Sequence, residues 1–465
     1  MDVSVKFLGG TGTVTGSRYL LNIGGFKLLF DCGLFQGLKE LRLRNWDHFP
    51  VDVSTINAIV ISHAHIDHTG YLPKLVKEGY NGPIYCTRPT SDLMELMLLD
   101  SAKLQEEEAE FARKKGYSKH TNPEPLYRAI DAQNVFPLIK KYNYKDRIRI
   151  SDNIEIVFHD AGHLLGSAIT EVFIKGDNQA KKIVFSGDLG RSTDIMLNAP
   201  TAIDEADILF IESTYGNKDN PAADPDGDLE RIINETFNRN GVVLIPAFAV
   251  GRTQVLLYYL HQLMEMDRMP DVPVYIDSPM AISATYLYYK YPEYHKVKFN
   301  HSEFAQKLET NLLVFVKTSR HSKSLNQIDS RAIIISSSGM MTGGRILHHL
   351  YNRLPNPNDT IIVAGYQAEG TRGRDLVDGH PTLRIFGEDV PVNCMVENMS
   401  SLSGHADREE LFAWMNNFKS APKMVFTVHG EGKNLEAYGK AIRERMKWNV
   451  VQPNYLETVH LFSGI

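Results

Sequence analysis

The stretch Ser62-His63-Ala64-His65-Ile66-Asp67-His68 constrains this chain more than any other. Four groups able to bind a cation stand within six residues, interrupted only by Ala64 and Ile66, directly after the apolar strand-like run at 58–60. Imidazole nitrogen and carboxylate oxygen are ligands that divalent zinc accepts, and a tight turn at a strand end can aim alternate side chains at two separate ions. The same punctuation recurs: Asp188 ends the run Ile183-Val184-Phe185, Glu212 ends Ile208-Leu209-Phe210-Ile211, and His429 ends Val425-Phe426-Thr427-Val428. Taken alone, Asp188, or His163 in Asp160-Ala161-Gly162-His163, reads as an ordinary loop or capping residue. Repetition at strand ends changes that reading, because strand ends are where ligand sites assemble in open α/β architectures.

The rest of the pattern agrees with an α/β class. Short strands are expected at 3–7, 18–23 and 27–31, with Gly24-Gly25 as the hairpin turn between the second and third. Apolar runs followed by amphipathic segments come next: 58–61 before Leu72, Leu75 and Val76, and 242–245 before Val255, Leu256 and Tyr259. Residues 93–115 read as a helical excursion whose Glu106-Glu107-Glu108 run is a solvated face, and 220–228 as a surface loop marking entry into an inserted domain. The cluster Gly9-Gly10-Thr11-Gly12-Thr13-Val14-Thr15-Gly16 imitates a nucleotide loop. Such a loop must open a helix, whereas Arg18-Tyr19-Leu20-Leu21-Asn22-Ile23 reads as a strand.

With 465 residues, 43% hydrophobic and 23% charged, the composition is that of a folded globular protein long enough for two to four domains. No apolar run approaches the roughly 18 residues of a membrane span and no leader pattern opens the chain, so no membrane association and a cytoplasmic location are expected. Cys32, Cys86 and Cys394 form no Cys-x-x-Cys pair, which argues against thiolate zinc sites. The formal net charge of −6 counts mildly against a polyanionic substrate, but bound divalent ions and a local cationic surface can reverse the field where it matters.

Asp31, the His63-x-His65-x-Asp67-His68 signature, His163 and Asp188 resemble the four successive metal motifs of the metallo-β-lactamase superfamily. Glu212 in Glu-Ser-Thr-Tyr, His405 in Ser-Gly-His-Ala-Asp and His429 in Val-His-Gly-Glu resemble motifs A, B and C of its β-CASP nuclease branch. The resemblance takes in nearly the whole chain and is closest to ribonucleases similar to the endonuclease subunit of the eukaryotic cleavage and polyadenylation specificity factor. It implies a metallo-β-lactamase αββα sandwich from 1–208 and 391–465, with an α/β β-CASP domain at 209–390 inserted. It also implies two zinc ions, one on His63, His65 and His163, the other on Asp67, His68 and His429. Asp188 would bridge them and Asp31 would orient ligands from behind; the donor chemistry also admits manganese or iron.

Histidine at position 429 is the RNA-processing variant of motif C in this branch, so single-stranded RNA is the expected substrate. The products should carry a 5′-phosphate and a 3′-hydroxyl. His405, backed by Glu212, would protonate the leaving ribose oxygen, and Asp67 counts as catalytic as well as ligating. Arg252, Ser337, Ser338 and Arg372 are candidates for holding flanking phosphates, since hydroxyls, turn amides and guanidinium forks suit that task. The resemblance also allows a homodimer. His48, His120 and His261 read as ordinary surface or core residues. Two rivals remain: a hydrolase of small esters or thioesters on the same core, and a non-catalytic RNA-binding scaffold. Motifs A to C oppose the first, and the complete ligand set opposes the second.

Overall fold

The computed structural model describes residues 1–115, 123–177, 179–219, 224–297, 312–399 and 402–465. They form two compact units, one of 1–219 with 405–465 and one of 220–404. The boundaries fall later than the expected 208/209 and 390/391 for a reason visible in the pairing. The strand Ile208–Glu212 lies inside the first unit's sheet, whereas Met395–Asn398 adds to the edge of the second unit's sheet beside Thr360–Val363.

The first unit is an αββα sandwich. One seven-stranded sheet runs in the order Thr458–Phe462, Val3–Phe7, Tyr19–Ile23, Phe26–Phe30, Ala58–Val60, Ile84–Thr87, Ile139–Tyr142. The other runs Val450–Val451, Met424–Val428, Ile208–Glu212, Ala180–Phe185, Ala168–Lys175, Ile154–Asp160, Arg147–Ser151. Alternation sets the inner faces: Val3, Val5 and Phe7 point inward, while Ser4 and Lys6 are only half-buried. Across the interface Phe30 stacks on Phe185 with ring centroids 3.8 Å apart, and Phe7 meets Phe426 at 5.1 Å. The strand Ile208–Glu212 is buried on both faces, Ile208 and Phe210 toward the facing sheet and Leu209 and Ile211 toward the helices Arg408–Met415 and Gly432–Met446. A continuous apolar run is what such a central strand requires.

Parallel pairing brings the site residues to one end. Phe185 pairs with Phe210 and Phe210 with Phe426, so Glu212 at the end of its strand and Asp188 and His429 just beyond theirs emerge together. In the other sheet the parallel strands Phe26–Phe30 and Ala58–Val60 deliver Asp31 and the 63–68 segment likewise.

The second unit has an all-parallel six-stranded sheet in the order Leu313–Phe315, Val274–Asp277, Ile333–Ser336, Val243–Pro246, Thr360–Val363, Met395–Asn398. A two-stranded hairpin, Thr382–Ile385 with Glu388–Pro391, stands apart from it. The helical excursion expected at 93–115 begins earlier and is one helix, Arg88–Lys115. The loop expected at 220–228 needs correction: 220–223 lie outside the described residues, and Pro225–Asn238 is a helix capped by Asp224, whose carboxylate accepts from Gly227 N at 3.0 Å. Asp followed by Pro is an N-cap and first-turn pair. The 9–16 cluster opens no helix, and its Gly10 carbonyl accepts from His429 N at 2.7 Å. No helix among the described residues is long and apolar enough to cross a membrane.

Candidate metal centre and active site

The site is built outward from Asp31, which follows the strand Phe26–Phe30 in a left-handed backbone conformation, φ 54°. Its Oδ1 accepts from Ser62 N at 2.8 Å, and its Oδ2 accepts from Ser62 Oγ at 2.8 Å and from His68 Nδ1 at 2.7 Å. Ser62 Oγ, having given its proton to Asp31, faces His63 Nδ1 at 3.0 Å as an acceptor. Thr214 Oγ1 lies 3.0 Å from His429 Nδ1. When neutral, each of these three rings carries its proton on Nδ1, toward that oxygen, and turns Nε2 inward as the nitrogen a cation would take.

The inward atoms form two sets around one carboxylate. His65 Nδ1 stands 3.0 Å from His63 Nε2 and 3.3 Å from His163 Nε2, and Asp188 Oδ2 lies 3.6 and 3.8 Å from His63 Nε2 and His163 Nε2. In the second set His429 Nε2 is 3.2 Å from His68 Nε2 and 3.3 Å from Asp67 Oδ2, with Asp188 Oδ2 3.4 Å from His68 Nε2. Bonds of about 2.0–2.1 Å in a tetrahedron separate ligand atoms by about 3.3 Å, so this spacing fits a cation in each set. Ring protons alone do not fit, because one proton on His65 Nδ1 serves one neighbour and leaves the other nitrogen opposed. Asp188 Oδ1, buried without a hydrogen-bond partner among the described residues, is a further acceptor waiting for charge.

Burial pushes the His63 and His65 imidazoles down, His65 to about 4, so both are neutral donors at physiological pH. Burial opposes ionisation of Asp67 and Asp188, but the surrounding imidazoles prevail, holding Asp67 at about 2 and Asp188 well below the usual carboxylate range. His68 is also opposed by burial, yet Asp188, Asp31 and Asp67 raise it well above an ordinary histidine, so a cation arriving at Nε2 displaces a proton.

Glu212, the buried last residue of its strand, accepts from Leu189 N at 2.8 Å through Oε1 and from Thr214 N at 3.1 Å through Oε2. Its Oε1 also meets His405 Nδ1 at 3.3 Å. The His405 ring lies 4.4 Å from that of His163, centroid to centroid, beside the first donor set. Burial lowers the His405 affinity for a proton, but Glu212 more than offsets it and the net direction is upward. That direction suits a proton donor at neutral pH.

The structure thus brings together Asp31, His63, His65, Asp67, His68, His163, Asp188, Glu212, His405 and His429 in the first unit. Arg252, Ser337, Ser338 and Arg372 all belong to the second. Arg252 is the first residue of the helix Arg252–Glu265, beyond Val243–Pro246. Ser337 and Ser338 follow Ile333–Ser336 and are joined by a cis peptide bond. Ser337 Oγ donates to Ser278 Oγ at 3.2 Å, and Ser338 Oγ accepts from Thr342 N at 3.0 Å. Arg372 donates from Nε to Arg384 O at 2.7 Å and from Nη1 to Met341 O at 3.2 Å. His48 is exposed, His261 stands 3.8 Å from Glu265 on one helix, and His120 lies outside the described residues.

Sequence reading assigned no task to Ser62 or Thr214, although both adjoin the motifs. It also missed Arg18, a buried cation whose Nε and Nη2 donate to Gly33 O at 2.9 and 2.7 Å and whose guanidinium lies 4.0 Å from the Tyr71 ring centroid. Arg18 thereby braces the loop that carries Asp31. Gly33 itself is obligatory, since a Cβ there would run into the Asp67 carbonyl.

Two histidine and aspartate donor sets sharing Asp188, at strand ends of an αββα sandwich, define a metal-binding hydrolase. Comparison with known proteins agrees region by region: residues 20–212 match the metallo-beta-lactamase superfamily domain, 253–376 the Beta-Casp domain, and 389–453 the Zn-dependent metallo-hydrolase RNA specificity domain. The chain is 35% identical to Ribonuclease TTHA0252 of Thermus thermophilus over 94% of its own length and 95% of that protein's. It is 31% identical to Transcription termination factor FttA of Methanocaldococcus jannaschii, over 99% of its own length and 72% of that protein's. A crystal structure of a protein of unknown function from Enterococcus faecalis shares the fold at a TM-score of 0.53 and 14% identity, covering 99% of this chain and 100% of that one. This chain belongs to the β-CASP branch of the metallo-β-lactamase superfamily.

Proposed function

We propose that this protein is a metal-dependent ribonuclease that hydrolyses phosphodiester bonds of single-stranded RNA in RNA processing or decay, leaving a 5′-phosphate and a 3′-hydroxyl. The observation that carries the proposal is the adjacency of the Glu212–His405 pair to two donor sets sharing Asp188. Similarity to a named ribonuclease along nearly the whole chain supports RNA as the substrate. The RNA specificity domain matched at 389–453 points the same way.

His63, His65 and His163 would hold one zinc ion and Asp67, His68 and His429 the other, with Asp188 reaching both. Divalent ions held there would lower the pKa of bound water toward about 7 and neutralise charge building on a phosphate. Asp31, Ser62 and Thr214 keep the ligand rings in the receptive tautomer. His405, with Nδ1 turned to Glu212, is left to deliver a proton from Nε2 to the departing ribose oxygen. Glu212 favours the protonated ring and fixes its plane. In the second unit, Arg252, Ser337, Ser338 and Arg372 offer groups suited to binding RNA phosphates, Arg372 also donating to the Met341 carbonyl.

The deciding assay is cleavage of end-labelled single-stranded RNA and matched DNA by metal-quantified protein, beside His405→Ala. Cleavage of RNA but not DNA, lost in the variant while its metal is retained, is the expected result. A fully metallated wild type that cuts neither nucleic acid would refute the ribonuclease reading.

A further inference from the structure

The second unit carries a surface that the hydrolytic chemistry leaves unused. Residues 317–323 read Lys-Thr-Ser-Arg-His-Ser-Lys, and Lys317, Arg320 and Lys323 are all exposed. Among the described residues none of these three cations has an ion-pair partner. In a chain with a net charge of −6, an uncompensated basic strip is a local reversal of the field. The strip is also fixed in place. Ser322 Oγ donates to the buried Asp277 Oδ2 at 2.5 Å, and Arg345 ties Asp277 Oδ1, at 2.7 Å, to the carbonyls of Val316 and Lys317 at 2.9 and 3.2 Å.

Beside it stands an aromatic group. His348 stands on the helix Ile346–Arg353, and partial burial of its ring, then His349 and the charge of Lys323, push its imidazole down, so the ring lies within reach of the strip's charge. The Phe386 ring centroid lies 4.7 Å from that of His348 and 6.1 Å from that of Tyr351, whose hydroxyl donates to Glu388 Oε2 at 2.7 Å. Phe386 is 48% exposed and occupies the hairpin turn between Thr382–Ile385 and Glu388–Pro391 with φ 52°, followed by Gly387 at φ 89°. Such two-residue turns favour Asn, Asp or Gly at the first position, because a bulky side chain there is strained. A large ring kept at a strained and half-exposed position, against two other rings and beside free cations, has the make-up of a stacking platform for unpaired bases.

We propose that this surface is a single-stranded RNA track: Lys317, Arg320 and Lys323 take backbone phosphates, and a base stacks on the cluster of Phe386, His348 and Tyr351. It rests on the ribonuclease reading and adds a subsite to it. The test uses the metal-loaded enzyme on a single-stranded RNA, with Phe386→Asn and the triple variant Lys317→Ala, Arg320→Ala, Lys323→Ala. Asparagine suits the left-handed turn, so the first variant removes the ring and relieves the backbone, and its Tm should not fall. Its KM should rise about tenfold with kcat unchanged, since a stacked base contributes on that scale. The salt dependence of kcat/KM should shrink by roughly 2 in the triple variant, at about 0.7 per phosphate contact on a single strand. Unchanged KM and salt slope in variants of an active enzyme overturn the track alone. A metallated wild type that cleaves no RNA overturns the reading beneath it.

Discussion

Replacing Asp31 by Asn tests whether ligand orientation, rather than ligand identity alone, sets metal affinity. Asparagine is nearly isosteric and tolerates the φ of 54° at this position, so the backbone has no reason to move. The change lies in the protons. Ser62 N can only donate, which commits the Asn oxygen to it and leaves the amide NH2 facing Ser62 Oγ and His68 Nδ1 in place of Oδ2. His68 must then accept at Nδ1, which moves its proton to Nε2, the nitrogen that faces Asp188 and His429. Binding a cation there requires the unfavoured tautomer with two N–H groups opposed. Partners behind metal-ligating histidines typically contribute 10–100-fold to affinity, about 1.4–2.7 kcal/mol. Competition titration of the metal-free protein with a chromophoric chelator should show one ion weakened by that factor and the other nearly unchanged. If Asp31→Asn holds both ions as tightly as the wild type, the tautomer argument fails.

Other perturbations follow the same geometry. His405→Ala should keep its metal content and lose about 10²- to 10⁴-fold in kcat, measured on metal-quantified protein; loss of metal instead would make His405 a ligand. Asp188→Asn should weaken both donor sets, so a chelator that lowers the Tm of the wild type should barely shift that of the variant. Burial pushes the Asp160 carboxyl up to about 6 although Asn198 and Gly162 N donate to it. An acid whose folded pKa is raised is most favourable to folding below its unfolded value, so stability should fall as pH rises from about 4 to about 6, by up to about 3 kcal/mol. Asp160→Asn should flatten that limb in calorimetric scans, and an unaltered limb would assign it to other groups. Gly33→Ala should cost about 3 kcal/mol or more in urea unfolding, because the added methyl meets the backbone of Asp67 and cannot be accommodated by a side-chain rotation; a change within about 0.5 kcal/mol would mean the loop yields.

The site was more legible in the sequence than its support. Ligand atoms must be imidazole nitrogens or carboxylates, and residue type alone reveals those; hence His63, His65, Asp67 and His68 stand out in one stretch. The hydroxyls of Ser62 and Thr214 leave no such mark, since serine and threonine are common beside turns and their task depends on which ring nitrogen they face. Arg18 read as part of a strand, and nothing in its neighbours predicts that a cation is buried there against the Gly33 carbonyl and Tyr71 ring, with no ion-paired carboxylate among the described residues. Arg372 illustrates the converse. Its type suggested phosphate recognition, whereas its guanidinium donates to the carbonyls of Arg384 and Met341.

By itself the sequence determined the local elements near the site, because strand and helix periods and turn glycines act over a few residues: the strand Val3–Phe7, the hairpin at Gly24-Gly25 and the run 208–212 are all read from short windows. It also determined which chemical groups the strand ends carry. Tertiary structure alone decided which strand ends meet. His68 and His429 are 361 positions apart in the chain and 3.2 Å apart in space, a proximity fixed by the parallel register of Phe185, Phe210 and Phe426 and by the stacking of Phe30 on Phe185 across the two sheets. Those pairings depend on packing between distant segments, which no local pattern encodes.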